Sequence, residues 1–106
     1  MPLFPLNVVL IPGMTLPLHI FEPRYLEMVE QCLDDRSPFG VVLIKDGQEV
    51  GGPAVPHTVG TAARITKVER HPDGRLDIVV IGARRFRIED LRDDKPYLVG
   101  QVRLYP

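Results

Sequence analysis

The sequence predicts a mainly β (α+β) domain of about six or seven short strands, with a single helix after the second. Three observations lead there. The 11 prolines and 9 glycines of the 106 residues fall between short apolar runs instead of gathering in a linker, which is the punctuation of successive turns. Several runs alternate apolar and polar residues with the period of two that a half-buried strand requires. Only one stretch has helical spacing.

Asn7 to Ile11 is the predicted first strand, closed by Pro12-Gly13. Leu16 to Phe21 is a second extended piece, and Pro17, which has no backbone donor, places it at a sheet edge. From Pro23 to Leu33, Leu26, Val29 and Leu33 form one helical stripe and Tyr25, Met28 and Cys32 an adjacent one. Arg24, Glu27, Glu30 and Gln31 fill the other side. Pro23 suits the first turn of that helix, with Glu22 and Glu27 near its positive end, and Asp34-Asp35 and Ser37-Pro38 end it. Phe39 to Ile44 is apolar and β-branched, a buried strand, and Asp46-Gly47 should turn the chain into a Gly/Pro loop from Gln48 to Pro56. Val59, Thr61, Ala63 and Ile65 alternate while Val68 falls out of phase, so a bulge is expected near Thr66-Lys67. Pro72-Asp73-Gly74 should join this strand to Leu76–Ile81 as a hairpin. Arg84 to Ile88 alternates arginine with apolar residues, and Leu98 to Tyr105 makes the last strand.

A chain of 106 residues fits one domain, 1–106. Its net charge of -1 lacks the positive excess of a protein built to hold nucleic acid. No signal-peptide pattern opens it and no apolar run approaches the length of a membrane helix. Cys32 is the single cysteine, so no disulfide can form within the chain, in keeping with a reducing compartment. A cytoplasmic location without membrane attachment is expected.

Catalytic motifs are missing. Ser37 stands directly before a proline at a helix end, with no G-x-S-x-G elbow. Cys32 lies on the apolar side of the helix, where thiols are inert core residues. His19, His57 and His71 are too scattered for a metal-ligand motif; His19 reads as a structural, hydrogen-bonded residue and His71 as an exposed turn residue. Gly47 and Gly52 have P-loop spacing, but Pro53-Ala54 follow where Lys and Ser or Thr are needed. The pairs Asp34-Asp35 and Asp93-Asp94 flank turns. Neither an enzyme nor a cofactor is indicated.

Two surface features stand out. Arg84, Arg85 and Arg87, with Arg64, Lys67 and Arg70, can line a face that touches phosphates, or form a solvated face balanced by Glu69, Glu89 and Asp90. The loop Pro12-Gly13-Met14 carries a polarisable methionine between two apolar strands. It either meets varied apolar partners or folds back to plug the end of the barrel.

The residues then resemble a family. Leu3-Phe4-Pro5-Leu6-Asn7-Val8-Val9-Leu10-Ile11-Pro12-Gly13-Met14, followed by Leu16-Pro17-Leu18-His19-Ile20-Phe21-Glu22-Pro23-Arg24-Tyr25, is similar to the opening of the amino-terminal domain of the Lon protease family. Phe39 to Ile44, Val59 to Ala63, Asp73-Gly74-Arg75, Gly82 to Ile88 and Pro96-Tyr97-Leu98 match in the same order. The resemblance implies a PUA-like β pseudo-barrel that helps Lon-type enzymes select unfolded or tagged protein substrates. The family's ATPase and Ser-Lys peptidase modules, and the helical portion that usually continues the domain, are not among these residues. The parent is thereby either a Lon protease or a LON-domain protein without a protease. The expected mechanism is capture of apolar polypeptide by Pro12, Met14 and Leu16, aided by strand pairing along an open sheet edge. RNA binding through Arg84, Arg85 and Arg87 and self-association into a homo-oligomer are the alternatives.

Overall fold

A computed structural model of the chain describes residues 1–47 and 54–106. Among them are six strands and one helix: β1 (Leu3–Leu6), β2 (Thr15–Ile20), α1 (Pro23–Asp35), β3 (Phe39–Gly47), β4 (Ala54–Arg70), β5 (Leu76–Arg92) and β6 (Val99–Leu104). The strand order is β1-β3-β4-β5-β2, with β6 also on β5; β1 and β3 are parallel and the remaining pairs antiparallel. The ring closes where Pro2 bridges Val99, flanked by the bonds Leu3 N–H to Leu98 C=O and Gly100 N–H to Met1 C=O, both 2.8 Å. The fold is therefore a small barrel with β2 and α1 appended.

Each half of β5 serves a different core. Its first half, Leu76, Ile78 and Val80, packs with Ile20, Phe4, Leu10 and the buried face of α1, namely Tyr25, Met28, Val29 and Cys32. Its second half sends Phe86 into the barrel, against Leu3, Val42 and Ala62. Room for that ring comes from missing side chains: a Cβ on Gly40 would lie 2.5 Å from the ring's Cζ, and one on Gly60 2.6 Å. Aromatic contacts extend the first core, with Phe4 4.4 Å from Tyr25 and 5.9 Å from Phe39 between centroids.

Several expectations hold and several need correction. The helix starts at Pro23 as the proline predicts, but it runs through Asp34-Asp35 and ends where Arg36 turns left-handed, at φ 53°. Pro17 does lie on the edge strand. Register slips between Ile65 and Lys67, at the expected bulge. The Pro72-Asp73-Gly74 hairpin forms as a type I turn followed by a left-handed Gly74, φ 94°, closed by His71 N–H to Arg75 C=O. The first strand is misplaced, however. Strand β1 is Leu3–Leu6, and Asn7–Ile11 is an irregular loop. Short local runs do not reveal that Leu3–Leu6 has a parallel partner 37 residues on, at Gly40–Leu43. Asp46-Gly47 does not turn the chain, because β3 continues to pair Gly47 with Ala54. Of the loop expected over Gln48–Pro56, residues 48–53 lie outside the described residues, and Ala54–Pro56 belong to β4. Arg84 to Ile88 is the middle of the 17-residue β5, not a separate strand.

The Gly40 and Phe86 arrangement generates a double-mutant prediction. Gly40→Ala should cost about 1–3 kcal/mol through overpacking. In a Phe86→Leu background the same change should cost less, since the shorter side chain vacates the space its Cβ needs. Urea unfolding of the four proteins measures the coupling; strictly additive costs would contradict this packing.

Candidate functional site

The loop 7–14 is built from a buried anchor, two backbone clamps and an apolar outer surface. Leu10 is the anchor, 2% exposed within the first core. Pro12 and Gly13 are the central residues of a turn closed by Met14 N–H to Ile11 C=O at 3.1 Å. Gly13, with φ 84°, supplies the left-handed position of a type II turn. Gly13 N–H donates to Gly82 C=O and Gly82 N–H donates to Met14 C=O, each at 2.8 Å, so two loop residues oppose one residue of β5. Gly82 has to be glycine, because a Cβ there would overlap the Ile11 carbonyl oxygen. The second clamp is Thr61, whose buried hydroxyl donates to Leu10 C=O at 2.6 Å.

With its backbone held, the loop turns Val8, Val9 and Ile11 to solvent; Val9 is 53% and Ile11 50% exposed. Beside them runs a groove of about 210 Å³. Its walls are Val8, Val9 and Leu10 from the loop, Val41 and Leu43 from β3, Val59 and Thr61 from β4, and Arg85 from β5. The row Val41–Thr61–Arg85 is one cross-strand register. This is an apolar trough with one cation at its rim, suited to an extended apolar segment and its backbone carbonyls.

Of the residues singled out in the sequence, Pro12 is exposed at the loop tip. Met14 and Leu16 are half-buried and pack against the first core, so the exposed apolar surface of the loop falls on Val8, Val9 and Ile11. Val8, Val9 and Ile11 fall in the predicted first strand, Asn7 to Ile11. Their signal was the unbroken run Val8 to Ile11, with no polar residue to face water.

The arginines do not form one face. Arg85 and Arg87 point the same way along β5, and Arg87 stands opposite Arg103 of β6. Arg84 is on the other side, donating through Nε and a terminal nitrogen to Tyr105 C=O at 3.0 and 2.6 Å. Arg70 pairs with Glu30 of α1 at 2.6 Å, and Arg64 borders a separate cleft beside Cys32. Glu22 and Arg24 form an ion pair, at 3.2 Å. Cys32 is buried and its thiol pushed up by burial, in keeping with an inert core residue.

A polar cluster lies at the turn end of the β4–β5 hairpin. Asp77 accepts from His19 Nδ1 through Oδ1 and from His71 Nε2 through Oδ2, each at 2.6 Å. Two histidines that look scattered along the chain thus share one carboxylate, and His71 is half-buried, not free in a turn. The side chain of His57 lies outside the described residues. The hydrogen bond that His71 donates to Asp77 raises the His71 pKa, and the bonds from His19 and then His71 hold the Asp77 carboxyl low.

Fold and groove together define a small β barrel that carries a backbone-held apolar surface loop. The whole chain, residues 1–106, matches the ATP-dependent protease La (LON) substrate-binding domain, and it belongs to that family. It is 34% identical over 103 residues to a Lon protease of Parabacteroides distasonis, covering 95% of this chain and 12% of that protein. It is likewise 34% identical over 104 residues to Lon protease 2 of Myxococcus xanthus, covering 96% and 13%. The chain thus spans about an eighth of these relatives' length, and what it spans matches the substrate-binding domain. The crystal structure of a Lon N-terminal domain protein from Xanthomonas campestris superposes with a TM-score of 0.82 at 42% identity, over 98% of this chain and 58% of that one. The N-terminal domain of a Mycobacterium avium complex Lon protease gives 0.72 at 19% identity over 99% and 54%, a likeness of fold alone. No helix among the described residues is long and apolar enough to cross a membrane.

Two predictions come from this geometry. Thr61→Val keeps the volume but leaves the Leu10 carbonyl without its donor, so stability should fall by about 1–3 kcal/mol. Amide exchange in residues 7–14 should quicken; unchanged exchange would remove Thr61 as a clamp. The second concerns pH in metal-free solution. His71, raised from 6.5, contributes stability that is complete below that value and is lost as pH climbs through its folded pKa. Asp77, lowered from 3.8, contributes stability present above that value and lost as pH falls through its folded pKa. Thermal midpoints measured upward from pH 6.5 should therefore decline, and Asp77→Asn should flatten the decline. Equal slopes would contradict the pairing.

Proposed function

We propose that this domain is a non-catalytic recognition module that binds unfolded or hydrophobic polypeptide segments for Lon-type proteolysis. The observation that carries the reading is the loop 7–14, which is clamped by its backbone while Val8, Val9 and Ile11 stay in water. Exposing three β-branched residues on one loop has a cost that partner binding recovers. A fixed loop also binds without first being ordered, which preserves affinity. Further support comes from the groove at its side and from the family's description as a substrate-binding domain. The outer edge of β2, with no strand paired to it among the described residues, offers a second contact by strand addition.

An unfolded, carboxymethylated protein titrated by fluorescence anisotropy tests this. Val9→Ser with Ile11→Ser should weaken binding by about 1–3 kcal/mol, roughly 5- to 150-fold, from lost apolar burial. Met14→Ser should weaken it less, because that side chain already packs inward. Equal affinity of wild type and the Val9→Ser/Ile11→Ser protein would refute the loop as the contact.

A further inference from the structure

The cluster at the far end of the hairpin is not needed for peptide capture, yet its geometry is specific. His19, Asp77 and Glu69 occupy one cross-strand row, since Asp77 of β5 is in register with His19 of β2 and with Glu69 of β4. His71 follows two residues after Glu69. Glu69, His71 and Asp77 each bring one ligand atom, all within 4.8 Å of one another. A shallow groove of about 320 Å³ gives access from solvent, lined by His19, Glu69 and Asp77.

We propose that Glu69, His71 and Asp77 form a binding site for one divalent transition-metal ion of the zinc class. His71 Nε2 and one oxygen each from Glu69 and Asp77 are the ligands. His19 is a positioning residue, donating from Nδ1 to the second Asp77 oxygen and holding that carboxylate in place. One imidazole with two carboxylates selects zinc, cobalt or nickel over calcium and magnesium, which favour all-oxygen shells. Ligand atoms around a tetrahedral ion lie about 3.3–3.6 Å apart. The His71–Asp77 pair at 2.6 Å has to open by about an ångström, and side-chain rotation achieves that.

The scaffold is fixed before any ion arrives. Strands β4 and β5 hold Glu69 against Asp77, and the turn bonds Gly74 N–H to His71 C=O and His71 N–H to Arg75 C=O fix the hairpin. Neighbouring cations are mostly neutralised: Arg75 binds Asp73 at 2.6 Å and Arg70 binds Glu30 at 2.6 Å. Lys67 remains on the same groove wall. Its single charge opposes the two carboxylates, leaving a net negative site.

Calorimetric titration of the full chain with zinc chloride, and with cobalt chloride followed by visible absorption, tests the site. The expected result is one saturable ion per chain, with cobalt bands of low-coordinate intensity. His71→Gln and Asp77→Asn, each confirmed folded by circular dichroism, should abolish saturation. His19→Asn should keep it with affinity lowered roughly ten- to a hundredfold. No saturable uptake by wild type, or uptake unchanged in His71→Gln, would overturn the proposal. Polypeptide binding by the loop stands or falls separately, as the loop lies at the middle of the hairpin, away from its turn.

Discussion

A carbonyl oxygen of Ile11 sits where any side chain on Gly82 would be, and that close approach organises the surface of this domain. Because the Pro12-Gly13 turn hydrogen-bonds to both polar groups of Gly82, the loop behaves as a continuation of the β2–β5 ladder. Its backbone needs are met by the sheet and by Thr61. Its side chains are then free to divide between the core, which takes Leu10, and water, which receives Val8, Val9 and Ile11. An apolar loop would ordinarily collapse onto the nearest apolar surface; the clamps restrict how far this one can do so.

The long β4–β5 hairpin supplies the frame for everything else. Each strand is 17 residues, three times the common strand length, and β4 bends at two register shifts against β5. The bends let one half of the hairpin pack against α1 and the other half close the barrel around Phe86. The same length separates the two surface features. The apolar groove lies at the Thr61–Arg85 level and the His19–Asp77–His71 cluster near the turn.

Much of this architecture is legible in the residues. Pro23 marks the helix start, Pro17 the edge, Pro72-Asp73-Gly74 the hairpin, and the phase break at Val68 the bulge. Each is a local effect, in which one side chain's geometry limits its own backbone. What stays hidden is non-local. Nothing near Leu3–Leu6 announces a parallel partner, and the apolar run Val8 to Ile11 reads as a strand because periodicity cannot distinguish a buried strand from a clamped apolar loop. The role of Gly82 depends on a residue 71 positions earlier in the chain. The pairing of His19 with Asp77 is hidden for the same reason: they are 58 residues apart and meet only through strand register. Met14 carries the right chemistry for an adaptable contact, but its neighbours decide which way it faces.

The central claim is that a backbone-clamped apolar loop, and not a reactive group, is what the domain offers to a partner. Amide and methyl chemical-shift mapping of the labelled domain, during titration with an unfolded polypeptide, addresses this most directly. The largest shifts should cluster on Val8, Val9, Ile11, Val59 and Arg85. Shifts confined to the β2 edge or to α1, with the loop silent, would contradict it.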